Sequence, residues 1–217
     1  LPGLSNRRDF IQQLGTDVDH VLRHYRDGTE TMRPCGNNDL SFLMVDLDNF
    51  KPVNDNCGHE AGDRLLLQIR DVLLEACRKS DDVIRWGGDE FLIVARETNR
   101  EYSANLAERL RHSLSDRVFP VGDGQVARIT TSIGYASYPF LKERPDLFSW
   151  EEVLGVADAA MYEAKEKRNT WIGIEGLAWQ GSGAELYRAI KSDPGMLAEQ
   201  GVIRAIESIE DVAKDYA

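Results

Sequence analysis

The chain has 217 residues, 42% hydrophobic and 29% charged, enough to bury a substantial core in one domain with an appendage. Acids outnumber bases by 37 to 26, a formal net charge of −11, which argues against non-specific binding to nucleic acid or anionic lipid but leaves room for a phosphorylated ligand held by local Lys, Arg and a metal. No apolar stretch is long enough to cross a bilayer, and the start has neither a methionine nor the basic-then-apolar layout of a signal peptide.

A helix is predicted over roughly residues 6 to 26, with its apolar stripe on Phe10, Leu14, Val18, Leu22 and Tyr25. His20 and His24 have the i, i+4 spacing of a helical metal pair but lie off that stripe, so solvent exposure is expected. A polar loop follows from Asp27 to Asn38 with Gly28, Pro34 and Gly36, then an apolar strand over 40–46 that ends in Asp46-Leu47-Asp48. Alternation places Asp46 and Asp48 on one side if the strand continues. Carboxylates and a backbone carbonyl are the oxygen ligands that Mg²⁺ takes alongside phosphates. Gly58-His59-Glu60-Ala61-Gly62-Asp63 opens a helix over about 60–78, whose apolar residues Leu65, Leu66, Ile69, Val72 and Leu73 recur at helical spacing. Asp63 is expected in its first turn, where charge complementarity with the helix dipole is a sufficient explanation in isolation.

Arg85-Trp86-Gly87-Gly88-Asp89-Glu90-Phe91 reads as a tight turn between Val83-Ile84 and the apolar run Phe91 to Ala95. Two glycines permit the positive φ angles of a two-residue hairpin, which would hold two adjacent acids at a rigid tip. A solvated acidic turn of the same composition is the plainer explanation of that string alone. Further on come a helix near 100–115, a strand pair ending in Ile129 to Ala136, a helix over about 150–167 and the segment Trp171-Ile172-Gly173. Gly181-Ser182-Gly183 marks a linker, and two helices are expected after it, Ala184 to Lys191 and Met196 to Tyr216, split by Asp193-Pro194-Gly195. Leu197, Val202, Ile203, Ile206, Ile209 and Val212 form an apolar stripe expected to pack on the domain's own flank, a dimer contact being the alternative. The elements imply an α+β fold whose sheet is covered on both faces, because its strands are apolar along their length. Cys35, Cys57 and Cys77 are scattered, which argues against a zinc site or disulfide framework and fits a reducing compartment.

Several of these segments match one pattern in order and spacing: Asp46-x-Asp48-x-Phe50-Lys51-x-x-Asn54-Asp55-x-x-Gly58-His59-x-x-Gly62-Asp63, then Gly87-Gly88-Asp89-Glu90-Phe91, Ser132-Ile133-Gly134-Tyr135-Ala136, and Ala157-Asp158-x-Ala160-Met161-Tyr162-x-Ala164-Lys165. The chain thereby resembles the GGDEF family, the diguanylate cyclases. Its opening, Leu1-Pro2-Gly3-Leu4-Ser5-Asn6-Arg7-Arg8, is similar to the family's start with Pro2 in place of a threonine. The resemblance spans residues 1 to about 175, and the remainder, 176–217, is read as a C-terminal helical extension of unknown role.

The resemblance implies a palm-like βαββαβ sheet and condensation of two GTP into cyclic di-GMP with loss of pyrophosphate. One GTP on each of two facing copies makes a homodimer necessary for turnover. It implies Mg²⁺ or Mn²⁺ held by Asp46, the Leu47 carbonyl and Asp89, with Glu90 either completing a second metal site or helping to activate the ribose hydroxyl. Asn54 and Asp63 would read the guanine edge, aspartate at 63 arguing for guanine over another base. Lys51, Lys165 and Arg168 would hold phosphates, while Asn49, Phe50, His59, Gly87 and Gly88 would complete the substrate site. The family usually has Ala-Lys-x-x-Gly-Arg-Asn where this chain has Ala164-Lys165-Glu166-Lys167-Arg168-Asn169, one residue shorter, so the helix end before Arg168 must adjust. Arg78-Lys79-Ser80-Asp81 stands where family members that bind their own product carry Arg-x-x-Asp, and Arg109 matches its companion arginine, implying product inhibition. The rival from another class is a catalytically inactive module that binds cyclic di-GMP, GTP or a protein partner; such modules lose turn residues or metal acids, and all are present here. The chain reads as a cytoplasmic fragment without direct membrane contact, and the resemblance implies an upstream portion, in this family usually a sensor, that the sequence does not include.

Overall fold

The computed structural model describes Leu4 and residues 7–27 and 38–208, without the side chains of 7–9 and 27. Most of the opening motif, the polar loop with Gly28, Pro34 and Gly36, Cys35, and the end of the last apolar stripe (Ile209, Val212) lie outside the described residues. The elements in order are α1 (Arg7–Asp27), β1 (Asp39–Asp48), α2 (Phe50–Cys57), α3 (His59–Ala76), β2 (Asp82–Arg85), β3 (Glu90–Thr98), α4 (Arg100–Ser115), β4 (Phe119–Gly122), β5 (Gln125–Ala127), β6 (Thr130–Tyr138), α5 (Trp150–Lys167), β7 (Thr170–Gly176), α6 (Gly183–Ser192), α7 (Pro194–Glu199) and β8 (Ile203–Glu207).

Six strands form one mixed sheet in the order β2-β3-β1-β6-β7-β8, and β4 and β5 make a separate hairpin. β1 runs antiparallel to both β3 and β6, β6 and β7 are parallel, and β7 and β8 are antiparallel. Every residue of β1 is buried. Its alternating side chains feed two separate cores, as strand geometry requires. Leu40, Phe42 and Met44 join α1, α5 and α6 on one face, while Leu43, Val45 and Leu47 join α3 and α4 on the other. The predicted α+β class with a covered mixed sheet is thus the observed one.

α5 opens on a capping box in which Ser149 Oγ accepts from the Glu152 amide (3.2 Å) and Glu152 Oε2 accepts from the Ser149 amide (2.8 Å). The helix then lies directly on β6 at Gly134, where a Cβ would collide with the backbone of Ala157 and Met161. This close approach sets the height of α5 over the sheet. Gly134→Ala is expected to lower stability by about 1–3 kcal/mol, because neither backbone can yield cheaply. A urea midpoint unchanged from the parent protein would show that α5 is seated by something else.

Two expectations need correction. The turn after β2 is a four-residue loop, Trp86 to Asp89, and neither glycine in it has a left-handed φ. The amides of Trp86 (2.9 Å) and Gly87 (3.3 Å) both donate to the Glu90 carbonyl, and Arg85 closes the loop from outside by donating to the carbonyls of Gly87 and Gly88. The predicted long helix from Met196 to Tyr216 is also not formed. α7 ends at Glu199, Gly201 takes φ 68, and the chain reverses into β8 on the edge of the sheet. Glycine in the left-handed region just after a helix is a stop signal, and it overrides an apolar spacing that suits helix and strand alike. Leu186, Ile190, Leu197 and Ile203 of this C-terminal part are buried in the α5-side core.

Candidate active site

The C-terminal end of β1, the loop before β3 and the end of α5 converge on one point. Asp46 pairs with Glu90 across the β1–β3 ladder, so these two acids are neighbours in the sheet, and the Leu47 amide donates to the Asp89 carbonyl (3.2 Å). Three carboxylates therefore share one strand end. Lys165 Nζ reaches in from α5 and bonds Asp46 Oδ2 at 2.7 Å, while Asp46 Oδ1 is buried with no hydrogen-bond partner. Burial pushes the Asp46 carboxyl up, against the pull of Lys165. Burial also raises Glu90, reinforced by Asp46, Asp158 and Asp89. Carboxylates that repel one another in a partly dry site are what a hard divalent cation would relieve.

The residues fit such an ion in a particular way. Among the described residues no group of three or more His, Cys, Asp or Glu side chains is close enough to hold a metal alone. An orphaned buried oxygen on Asp46 with Asp89 beside it supplies one or two carboxylates, and Mg²⁺ characteristically completes such a set with water and substrate phosphate oxygens.

A groove of about 420 Å³ opens beside these acids, lined by Asp46, Leu47, Asn49, Phe50, Lys51, Asp89, Lys165 and Arg168 among others. Asp48 lines it too, but its carboxylate is fully engaged: Oδ1 accepts from Ser132 Oγ (2.8 Å), and Oδ2 from Thr130 Oγ1 (2.7 Å) and the Asn169 amide (2.9 Å). Asp48 is thus on the same side as Asp46, as alternation predicts, yet it holds structure in place. Arg168 donates to Asn49 Oδ1 (3.1 Å). The shortened helix end is accommodated by backbone strain. Arg168 takes φ 60 with ψ 162, a region that glycine populates, and Asn169 follows with φ 44. Left-handed backbone at a non-glycine residue costs roughly 1–2 kcal/mol.

Asn54, His59 and Asp63 do not line this groove. Asn54 lies in the second turn of α2, an eight-residue helix about 12 Å long, and His59 and Asp63 lie on α3, which follows it. Gly58, at φ 82, turns the chain there into α3, and Asn54 Oδ1 occupies the space that a Cβ on Gly62 would fill. Asn54 is thereby set beside the backbone that carries exposed Asp63. α3 begins at His59, so Asp63 lies beyond its first turn and helix-dipole complementarity no longer accounts for it. Gly87 allows the Glu90 carboxylate to fold back over the loop, since its Cβ would lie 2.7 Å from Glu90 Oε2, whereas Gly88 faces open space.

Arg78, Asp81 and Arg109 also meet. The Arg78 guanidinium stacks on Tyr102 at 3.8 Å from the ring centroid, and Arg109 lies 5.9 Å from the same ring. Asp81 Oδ2 accepts from the Arg78 amide (2.8 Å) while the Asp81 amide donates to the Arg78 carbonyl (3.0 Å), a closed turn made without the Arg78 side chain. Arg109 Nε is fixed on the Ala76 carbonyl at 2.8 Å. Sequence reading named these three but not Tyr102, the ring between the two arginines. It also missed Arg85, which closes the loop, and the Lys165–Asp46 pair. His20 is exposed, as expected, and His24 is half-buried and bonded to Asn38 (2.8 Å).

The family model described as "Diguanylate cyclase, GGDEF domain" matches residues 1–170. Diguanylate cyclase A of Treponema denticola is 33% identical over 170 residues, 74% of this chain and 44% of the relative. Diguanylate cyclase DosC of Escherichia coli is 35% identical over 128 residues, 59% of this chain and 26% of the relative. The chain thus spans less than half the length of either. Among solved structures, the GGDEF domain of YfiN from Pseudomonas aeruginosa superposes with a TM-score of 0.61 at 32% identity, over 78% of this chain and 95% of that one. The GGDEF domain of DgcB from Caulobacter crescentus, solved in complex with c-di-GMP, gives 0.62 at 25% identity over 76% and 86%. With the family model covering residues 1–170 and this fold and strand-end cluster of acids beneath it, the chain belongs to the GGDEF family of diguanylate cyclases.

Proposed function

We propose that this chain condenses two GTP into cyclic di-GMP, one GTP in the groove of each of two facing copies. The observation that carries the reading is the buried, unpartnered oxygen of Asp46 at a strand end shared with Asp89 and Glu90 and flanked by Lys165. In each half-reaction a ribose 3′ oxygen forms a bond to the α-phosphorus of the other GTP while the bond to the β-phosphate oxygen breaks and pyrophosphate leaves. A bound divalent ion would neutralise the charge developing on the transferring phosphoryl group. Lys51, Lys165 and Arg168 hold the phosphates in line, and Asn54 of α2 and Asp63 of α3 fix the base. Glu90, its carboxyl raised by burial and neighbouring acids, is suited to take the hydroxyl proton. A groove of this size suits one nucleotide, so the second must come from a second copy. Incubation with GTP and Mg²⁺ followed by chromatography should yield cyclic di-GMP and pyrophosphate. GTP bound without turnover at concentrations where the protein is dimeric would instead identify a receptor module.

Arg78, Asp81 and Arg109 around Tyr102 support an inhibitory product site, since arginine chelates phosphate or stacks on guanine and Asp81 can accept from a guanine edge. Product held there would favour an arrangement in which the two GTP sites cannot meet. The Arg78–Asp81 turn is closed by the Asp81 carboxylate and by backbone groups, not by the Arg78 side chain, so Arg78→Ala removes the guanidinium without opening it. Arg78→Ala should relieve inhibition by added cyclic di-GMP about tenfold or more, a loss worth at least one charge-assisted phosphate contact, and leave the initial rate unchanged. Equal sensitivity of the two progress curves would reduce the cluster to a solvated helix end.

A further inference from the structure

The two strained residues of the α5–β7 turn are gripped on both sides by a strand that lies beyond the segment matched by the family model. Immediately before the turn, Lys167 forms an ion pair with Glu207 of β8. Immediately after it, Thr170 Oγ1 and Ser208 Oγ are 2.5 Å apart, and the Ser208 amide donates to the Trp171 carbonyl at 3.1 Å. Between these two grips lie Arg168 and Asn169, both with positive φ, whose outward contacts are to Asn49 and Asp48 at the end of β1. The family model ends at residue 170.

β8 is itself firmly mounted. It pairs with β7 from Gly176 opposite Ile203 to Ile172 opposite Glu207, Ile203 is buried in the α5-side core, and Arg204 bonds buried Glu175 at 2.5 Å. A strand anchored at its far end by Ile203 and Arg204 presents Glu207 and Ser208 to the turn as fixed points. A turn that needs a glycine-like backbone without glycine would otherwise relax, carrying Arg168 away from Asn49 and releasing the Asn169 amide from Asp48.

We propose that β8 is a clamp on the phosphate side of the groove, with Glu207 and Ser208 acting as positioning residues that hold the α5–β7 turn, and through it Arg168, in the conformation that receives a nucleotide triphosphate. The proposal rests on the reading of the groove as a GTP site. It gives residues beyond 176 a function: they supply a strand that compensates for a shortened, strained turn.

The test uses the full chain, the double substitution Glu207→Ala with Ser208→Ala, Arg168→Ala, and the combination of all three. The probe for the groove is a GTP analogue with a methylene bridge between the α- and β-phosphates, titrated with Mg²⁺ present. The turn is followed separately by hydrogen exchange at the Asn169 amide. The double substitution should weaken analogue binding about five- to tenfold, the size of one positioned phosphate contact, and speed exchange at Asn169. In the Arg168→Ala background it should add less than about twofold, because the contact it positions is already gone. A full, additive loss in that background would mean that β8 merely stabilises the fold, and unchanged exchange at Asn169 would overturn the clamp whether or not nucleotide binds. A parent protein that shows protected Asn169 but no affinity for the analogue would overturn the GTP reading, and with it the clamp's role in nucleotide binding.

Discussion

Asp46→Asn should abolish cyclic di-GMP formation while leaving the protein as stable as the parent or more so. A loss of about 10³-fold or greater is expected, the scale of removing one electrostatic contact to a transferring phosphoryl group. Stability should move the other way because Asp46 is buried with one oxygen unpartnered and its carboxyl is pushed up, which means that the fold disfavours its charged form. Asparagine keeps the shape and removes the charge; Lys165 gives up the pairing with Asp46 that raises its own pKa, a contribution kept small by its near-half exposure, so relief of the buried carboxylate outweighs it. The sign has a pH signature. A carboxyl whose folded pKa is raised binds its proton more tightly in the folded state, so its cost is absent at low pH and grows as pH rises through the ordinary carboxylate range. The stability advantage of Asp46→Asn should thus be present at neutral pH and vanish in acid, as read by thermal midpoints in the absence of divalent ions. Asp89→Ala should be equally inactive, and residual synthesis at a tenth of the parent rate in either variant would sink the assignment.

Asp63→Ala should weaken GTP binding about 30- to 100-fold, the cost of leaving a guanine donor without its charged acceptor. Exposed Asp63 lies beyond the first turn of α3, so little stability should be lost, within about 0.5 kcal/mol. The specificity consequence is sharper than the affinity one. A site built to accept from a base edge rejects analogues that lack the donor, so competition between GTP and ATP should favour GTP strongly in the parent and only weakly in Asp63→Ala. Equal competition in the parent protein would remove Asn54 and Asp63 from any role in base choice.

What could be read in advance was whatever depends on residue type at short range. The two-sided burial of β1 follows from its unbroken apolar run, and Asp46, Asp89 and Glu90 are visible as acids at strand ends. The turn itself was anticipated but its backbone was not, because Gly-Gly is compatible with several loop conformations and the one adopted is decided by hydrogen bonds to Glu90 and by Arg85. Lys165 could be placed near phosphates by analogy, but its ion pair with Asp46 joins residues 119 positions apart and depends on how closely α5 sits over Gly134. β8 was missed because Val202, Ile203 and Ile206 suit a helical stripe and a strand equally; Gly201 was the discriminating residue.

The two-faced burial of β1 leaves the strand exposed to misalignment. A strand with one wet face is held in alignment by hydrophobicity, since a slip of one residue would turn its apolar set to water; one that is apolar on both faces loses little by slipping. For β1 such a slip would carry Asp46 into the α3–α4 core and put a leucine or valine where the proposed reaction needs a carboxylate. Polar fasteners at the two ends forbid it. Asp48 is docked to Thr130, Ser132 and the Asn169 amide at one end, and Ser41 is bonded to Thr98, Ser103 and Ser137 at the other. Neither residue has a part in the proposed chemistry, yet together they count out the strand so that Asp46, the sixth residue counted from Ser41, faces the groove. Asp48→Leu should therefore produce a protein that is folded, compact and heterogeneous in strand alignment, its loss of activity combining a misplaced Asp46 with release of the Asn169 amide that Asp48 holds.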